Sequence, residues 1–94
     1  MIRITTIAET PKEVVLKVEG HISEEDVVVL EAEGERNLQY TERLVLDLSG
    51  IKFIDEAGIQ LLQRWSGERL VLQGASRFIQ TLLKAHGLCS KSDE

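Results

Sequence analysis

Few residues in this chain can do covalent or metal chemistry. His21 and His86 are the only imidazoles and Cys89 is the only thiol. Nucleophilic catalysis needs a base held beside a nucleophile, and neither a Ser-His-Asp nor a Cys-His spacing supplies one. His86 ends a helical stripe beside Gly87, where it suits the negative end of a helix dipole. His21 falls in a strand-to-helix turn, so the two histidines read as unconnected. A lone cysteine near the chain end forms no internal disulfide and no cysteine-rich zinc site. The seven glycines are scattered at turns and caps, so no phosphate-cradling loop is written into the chain. No cofactor or metal is expected.

Three carboxylates remain. Asp47 lies near the C-terminal end of a strand, where α/β folds bind ligands, although a carboxylate there can equally bond a turn amide. Asp55 is a good helix N-cap, worth about 1 kcal/mol, and Glu56 stands just inside the positive end of the same helix dipole. Capping accounts for both charges without any reaction, so the chain is not expected to be an enzyme. A small-ligand binder using Asp47 and Asp55 is the reading of that class left to weigh.

These carboxylates belong to the run Leu44-Val45-Leu46-Asp47-Leu48-Ser49-Gly50-Ile51-Lys52-Phe53-Ile54-Asp55-Glu56-Ala57-Gly58. A strand at Leu44 to Leu48 ends at a Ser-Gly turn, and a second apolar pair then delivers Asp55, Glu56 and Ala57 to a helix. That helix carries Gly58, Leu61, Leu62 and Trp65 at 3-4 spacing, one buried stripe, with a stop at Ser66-Gly67.

Upstream, Ile2 to Ile7 and Val14 to Val18 read as strands joined by a turn at Pro11, an antiparallel hairpin ended by Gly20. Ser23 with Asp26 is a variant capping box. The helix it starts runs to about Tyr40, burying Val27, Leu30, Ala32 and Leu38. Val27-Val28-Val29 is a poor helical run, and Gly34 costs about 1 kcal/mol relative to Ala, leaving a break there open. Downstream, Leu70 to Gln73 is a strand ended by Gly74. A helix from Ser76 then buries Phe78, Ile79, Leu82, Leu83 and His86, with Gly87 as its cap. The order β-β-α-β-α-β-α demands parallel crossovers after the hairpin. The expected fold is α/β: a small mixed four-stranded sheet with an antiparallel edge pair and three to four helices.

With 94 residues, the chain suits one domain, here residues 1–89, with a flexible tail at 90–94. No apolar run approaches the ~20 residues of a membrane span, and the N-terminus reads straight into a strand, so a cytoplasmic location is expected. The net charge of −5 comes from the N-terminal side: residues 1–41 hold nine acidic and four basic side chains, residues 42–94 seven of each. An acidic face argues against nucleic acid and against an anionic membrane as partners. It fits a solvated helix face or a basic protein partner.

The run from Leu46 to Ile59 resembles the signature of the STAS domain, found in bacterial anti-sigma-factor antagonists and in the cytoplasmic tails of sulfate transporters. The family pattern is a strand, a DLSG-like turn, an apolar pair and then Asp-Ser-Ser-Gly-Leu opening a helix. The element order, the chain length and the closing His86-Gly87-Leu88 extend the resemblance over essentially the whole chain. In the antagonists the second serine of the motif is phosphorylated by a kinase that is also the anti-sigma factor, and the unphosphorylated antagonist binds that kinase. A phosphate adds about −1.5 to −2 charge to such a surface. Here Asp55 and Gly58 match the pattern, Glu56 takes the first serine position and Ala57 the phosphoacceptor position. Ser49, eight residues before Ala57, is a poor substitute.

The resemblance thus implies a bacterial signalling module of transcription regulation. It would dock an anti-sigma factor or kinase-like regulator through Asp55, Glu56, Ala57, Gly58 and Ile59, without a serine switch and with no phosphorylation site there. Glu56 would supply a permanent negative charge one residue early. The alternative implied is a cytoplasmic STAS subunit of an ABC-type lipid-trafficking complex, with a transporter ATPase or permease as partner. No nucleic acid and no direct membrane insertion are expected, and a dimer is compatible with either reading.

Overall fold

The computed structural model describes residues 2–65 and 69–88. Its elements follow the order β1 (Ile2–Glu9), β2 (Glu13–Ile22), α1 (Glu24–Leu38), β3 (Arg43–Ile54), α2 (Glu56–Trp65), β4 (Leu70–Gln73) and α3 (Arg77–Ala85). The four strands form one sheet in the order β1-β2-β3-β4. β1 is antiparallel to β2, whereas β2/β3 and β3/β4 are parallel. This is the mixed α/β sheet that the sequence pattern demands. Ser66-Gly67, Cys89 and the tail expected at 90–94 lie outside the described residues.

Strand alternation sorts the side chains onto two faces. Val14, Leu44 and Leu70 pair across β2, β3 and β4, as do Leu16, Leu46 and Leu72. These rows meet Leu30 of α1, Ile59, Leu61 and Leu62 of α2, and Ile79 and Leu83 of α3 in one apolar core. The intervening row, Val15, Val45 and Val71, faces the other way.

Several local expectations are revised. Ser49-Gly50 is not a turn, since β3 runs unbroken to Ile54. Its pairing with β2 shifts between Lys17 and Glu19 and again between Gly20 and His21, each time giving β3 one extra residue. The glycine signal is therefore that of a bulge in a strand. A Cβ on Gly50 would lie 2.6 Å from Glu19 Cγ. Gly20 does not end β2 either; it sits at φ +104 between these shifts and the strand continues to Ile22, with His21 inside it.

α1 does not break at Gly34. It is one helix ending at Leu38, and Gly34 is buried because the Trp65 ring lies where its Cβ would be. Ala32, expected inside, faces solvent. In α3 only Ile79 and Leu83 are buried, Leu82 is half-buried, Phe78 is 59% exposed and His86 is exposed. The apolar stripe of α3 is wider than the core it faces.

The helix ends are satisfied locally. The Ser76 hydroxyl accepts the Ile79 N–H at the start of α3. At its end Gly87, at φ +77, donates to Lys84 O while Leu88 donates to Leu83 O, the Schellman pair of bonds. At the opposite pole of the sheet, the Arg69 guanidinium donates to Leu38 O, Thr41 O and Glu42 O, closing the C-terminal end of α1.

Candidate functional site

The β3–α2 junction is built around Asp55. Its backbone N–H donates to Ile22 O, and its carbonyl accepts the Ile59 N–H of the first turn of α2. Its carboxylate reaches further than the sequence indicates. Oδ1 accepts the Gly58 N–H at 3.0 Å, the expected N-cap bond. Oδ2 accepts the Glu24 N–H at 2.9 Å, thirty-one positions earlier in the chain. One carboxylate therefore caps α1 and α2 together, placed between two positive dipole ends. The second bond is invisible to local reasoning because β2 and β3 must first pair to bring the two helix starts side by side.

The start of α1 has its own acid as well. The Ser23 N–H and hydroxyl both donate to Asp26 Oδ2, at 3.3 and 2.7 Å. The hydroxyl bond outweighs partial desolvation and holds the Asp26 carboxyl below the ordinary carboxylate range.

Gly58 permits the close approach of α2 to the sheet. A Cβ there would lie 2.7 Å from a methyl of Ile22 and 2.7 Å from one of Ile54, with Ile22 O at 3.2 Å. Gly58 and Ile59 are buried, Ala57 and Asp55 are half-buried, and Glu56 is exposed. Of the five residues singled out in the sequence, Glu56 presents the most surface, and its Oε1 accepts a 3.4 Å bond from Gln60.

Two grooves flank α2. The groove between α2 and α3, about 520 Å3, has Phe53, Ile59 and Leu82 as apolar walls and Glu56 and His86 on its rim. Gln63 closes one end by donating to His86 O at 3.0 Å. The groove between α1 and α2, about 510 Å3, is lined by Val27, Ala57 and Arg64, with Arg64 paired to Glu31 at 3.1 Å. Gln60 and Gln63 touch both. Glu56 and Ala57 thus look into different grooves. Phe53, Leu82 and His86 also line the candidate groove and are not singled out in the sequence, where Phe53 reads only as part of the apolar pair before Asp55 and the other two as part of a buried helical stripe.

Asp47 is not among the residues lining the groove at Asp55. Its Oδ1 accepts the Ser49 N–H at 2.9 Å, the backbone role open to it from the sequence, and lies where a Cβ on Gly74 would be. Among the described residues no cluster of His, Cys, Asp or Glu is placed to hold a metal ion, and no helix is long and apolar enough to cross a membrane.

The anti-sigma factor antagonist SpoIIAA in its unphosphorylated form superposes with a TM-score of 0.76 at 16% identity, covering 100% of this chain and 89% of that one. The phosphorylated Bacillus SpoIIAA gives 0.68 at 15% identity, covering 100% and 92%. An antisigma-factor antagonist STAS domain from Rhodobacter sphaeroides gives 0.60 at 23% identity, covering 81% and 92%. At these identities the likeness is one of fold. No curated protein sequence matches the chain. A family profile described as "Mlab, STAS domain" matches residues 5–90.

Proposed function

The chain belongs to the STAS-domain family, and on that premise we propose that it is a non-catalytic protein-interaction module that docks a partner through the loop and helix start at Asp55–Gly58, without serine phosphorylation as a switch. The partner is an anti-sigma factor or kinase-like regulator in a bacterial cytoplasm, and the output is transcriptional control. The observation that carries this reading is the doubly capped helix start. Asp55 fixes the backbone of α1 and α2 at once, so Glu56 and the grooves beside it form a preorganised surface. Preorganised surfaces bind with less ordering cost.

The switch hydroxyl is absent because residue 57 is Ala. Glu56 is a fixed charge, but it faces the α2/α3 groove while Ala57 faces the α1/α2 groove. It therefore acts as a contact in its own right and not as a stand-in for a phosphate at residue 57. The matching family profile is named Mlab and not for the antagonists, so the second reading, a cytoplasmic STAS subunit of an ABC-type lipid-trafficking complex, stands beside the first.

Calorimetric titration separates the two. Wild type is titrated with the anti-sigma kinase, and separately with the ATPase of a lipid-trafficking transporter, from the same genome. Saturable binding to the kinase that weakens about tenfold, roughly 1.4 kcal/mol, in Glu56→Ala supports the first reading. Binding to the ATPase alone replaces it with the second.

A further inference from the structure

Resting on the docking reading above, we propose that the groove between α2 and α3 receives a cationic amphipathic helix of the partner, with a bulky apolar side chain against Phe53, Ile59 and Leu82 and a Lys or Arg beside Glu56. The alternative approach, over the α1/α2 groove that Ala57 faces, is the one a phosphate at that residue would control.

Three observations favour the α2/α3 side. The first is apolar surface left outside the core. Phe53 is 44% exposed and Phe78 59% exposed, and Leu82 lines the groove half-buried. Phe78, Leu82 and His86 are spaced i, i+4, i+8, so they share one face of α3. Aromatic side chains held outside the core and rimmed by polar groups mark protein interfaces.

The second is charge. The residues lining this groove include Asp55 and Glu56 but no Lys or Arg. Both carboxylate oxygens of Asp55 are engaged by backbone N–H groups, which leaves Glu56 as the rim charge a cation meets. The α1/α2 groove is lined by no carboxylate, and its Arg64 already pairs with Glu31, so it offers a cation no free partner. The third is form: a cleft of about 520 Å3 between two helices suits the helix-in-groove mode, in which apolar anchors spaced along one helical face are buried.

The test is a titration of the isotopically labelled full chain, followed through its backbone amides, with two synthetic amphipathic peptides of about 15 residues, long enough to become helical. One alternates Leu with Arg at helical spacing and the other Leu with Glu. The Leu/Arg peptide is expected to move the amides of Phe53, Glu56, Ile59 and Leu82, and the Leu/Glu peptide to leave them in place. Leu82→Glu adds an acid while removing an apolar wall. Its expected effect is at least about a tenfold loss of affinity for the Leu/Arg peptide. Because Leu82 packs against the core, the amide spectrum of the free variant is recorded first, and Leu82→Ala, which removes the wall without adding charge, is expected to weaken binding of the same peptide if the fold of Leu82→Glu is lost.

Unchanged or tighter binding by Leu82→Glu shows charge attraction alone and overturns the proposal, as do shifts confined to the acidic outer face of α1 or the absence of shifts with either peptide. Shifts confined to Val27, Ala57 and Arg64 also overturn it while leaving the docking reading intact. That reading is judged separately by the partner titration, so the two fail independently.

Discussion

The two grooves beside α2 have nearly the same volume and share Gln60 and Gln63, but differ in the charged side chains that line them. One is lined by the carboxylates of Asp55 and Glu56 and by no Lys or Arg; the other is lined by Ala57 and by Arg64, which pairs with Glu31. They are separated by a single step along the helix start, because adjacent residues of a helix project about 100° apart. Two neighbouring changes from the family pattern therefore alter two different surfaces. Glu56 puts a charge on the α3 side, and Ala57 puts a methyl group on the α1 side. A reading by sequence position alone treats the pair as one altered motif, whereas the structure turns Glu56 and Ala57 toward different grooves.

The comparison depends on Asp55, which holds the helix that divides the grooves. Asp55→Ala removes the acceptor from two helix starts, each worth about 1 kcal/mol, so unfolding free energy from urea titration should fall by about 2 kcal/mol. Asp55→Asn keeps one carbonyl acceptor and should lose about half of that. A loss in Asp55→Ala no larger than that of a single cap would mean the bond to Glu24 contributes nothing.

Gly58→Ala should cost about 1 kcal/mol. Crowding against Ile22 and Ile54 costs roughly 1–3 kcal/mol, offset in part by about 1 kcal/mol of helix propensity. Because α2 is pushed from the sheet, both grooves should change together in amide shifts.

Arg64→Ala sharpens the contrast from the other side. Its pair with Glu31 is exposed and such pairs contribute about 0–1 kcal/mol, so stability should hardly move. Partner affinity should stay within about twofold, against the tenfold expected of Glu56→Ala. Equal losses from the two variants would erase the distinction between the grooves.

The smallest effect is one of pH. The folded Asp26 carboxyl sits below its ordinary value of 3.8. Its stabilising contribution is therefore present above that value and is lost as the pH falls through it toward the lower folded value. Ser23→Ala, which removes the hydroxyl bond, should flatten this acid limb in thermal unfolding followed from neutral to acidic pH, with stability below wild type near neutrality and converging with it at low pH.

Much of the fold is legible in the sequence because its signals are local. β4 lies at the expected residues, Ser76 and Gly87 cap α3, and Ser23, Asp26 and Asp55 cap their helices as residue type and spacing indicate. What is not legible depends on pairing over distance. Ser49-Gly50 resembles a turn until β2 is laid beside β3 and the extra residues become bulges. Phe78 and His86 resemble core residues until the core is filled by Ile79 and Leu83. The Asp55 bond to Glu24 requires two strands to bring distant helix starts together. The candidate site is divided in the same way: the loop is visible as a motif, whereas the groove that gives it walls exists only once α2 and α3 are packed.

Docking without a phosphoryl switch is tested by measuring affinity for the anti-sigma kinase before and after incubation with ATP, in wild type and in Ala57→Ser. ATP should leave wild-type affinity unchanged, with Ala57→Ser as the control that shows the kinase acting on a serine at residue 57 under the same conditions. An ATP-dependent loss in wild type, with phosphate found on Ser49 or any other residue, would contradict it.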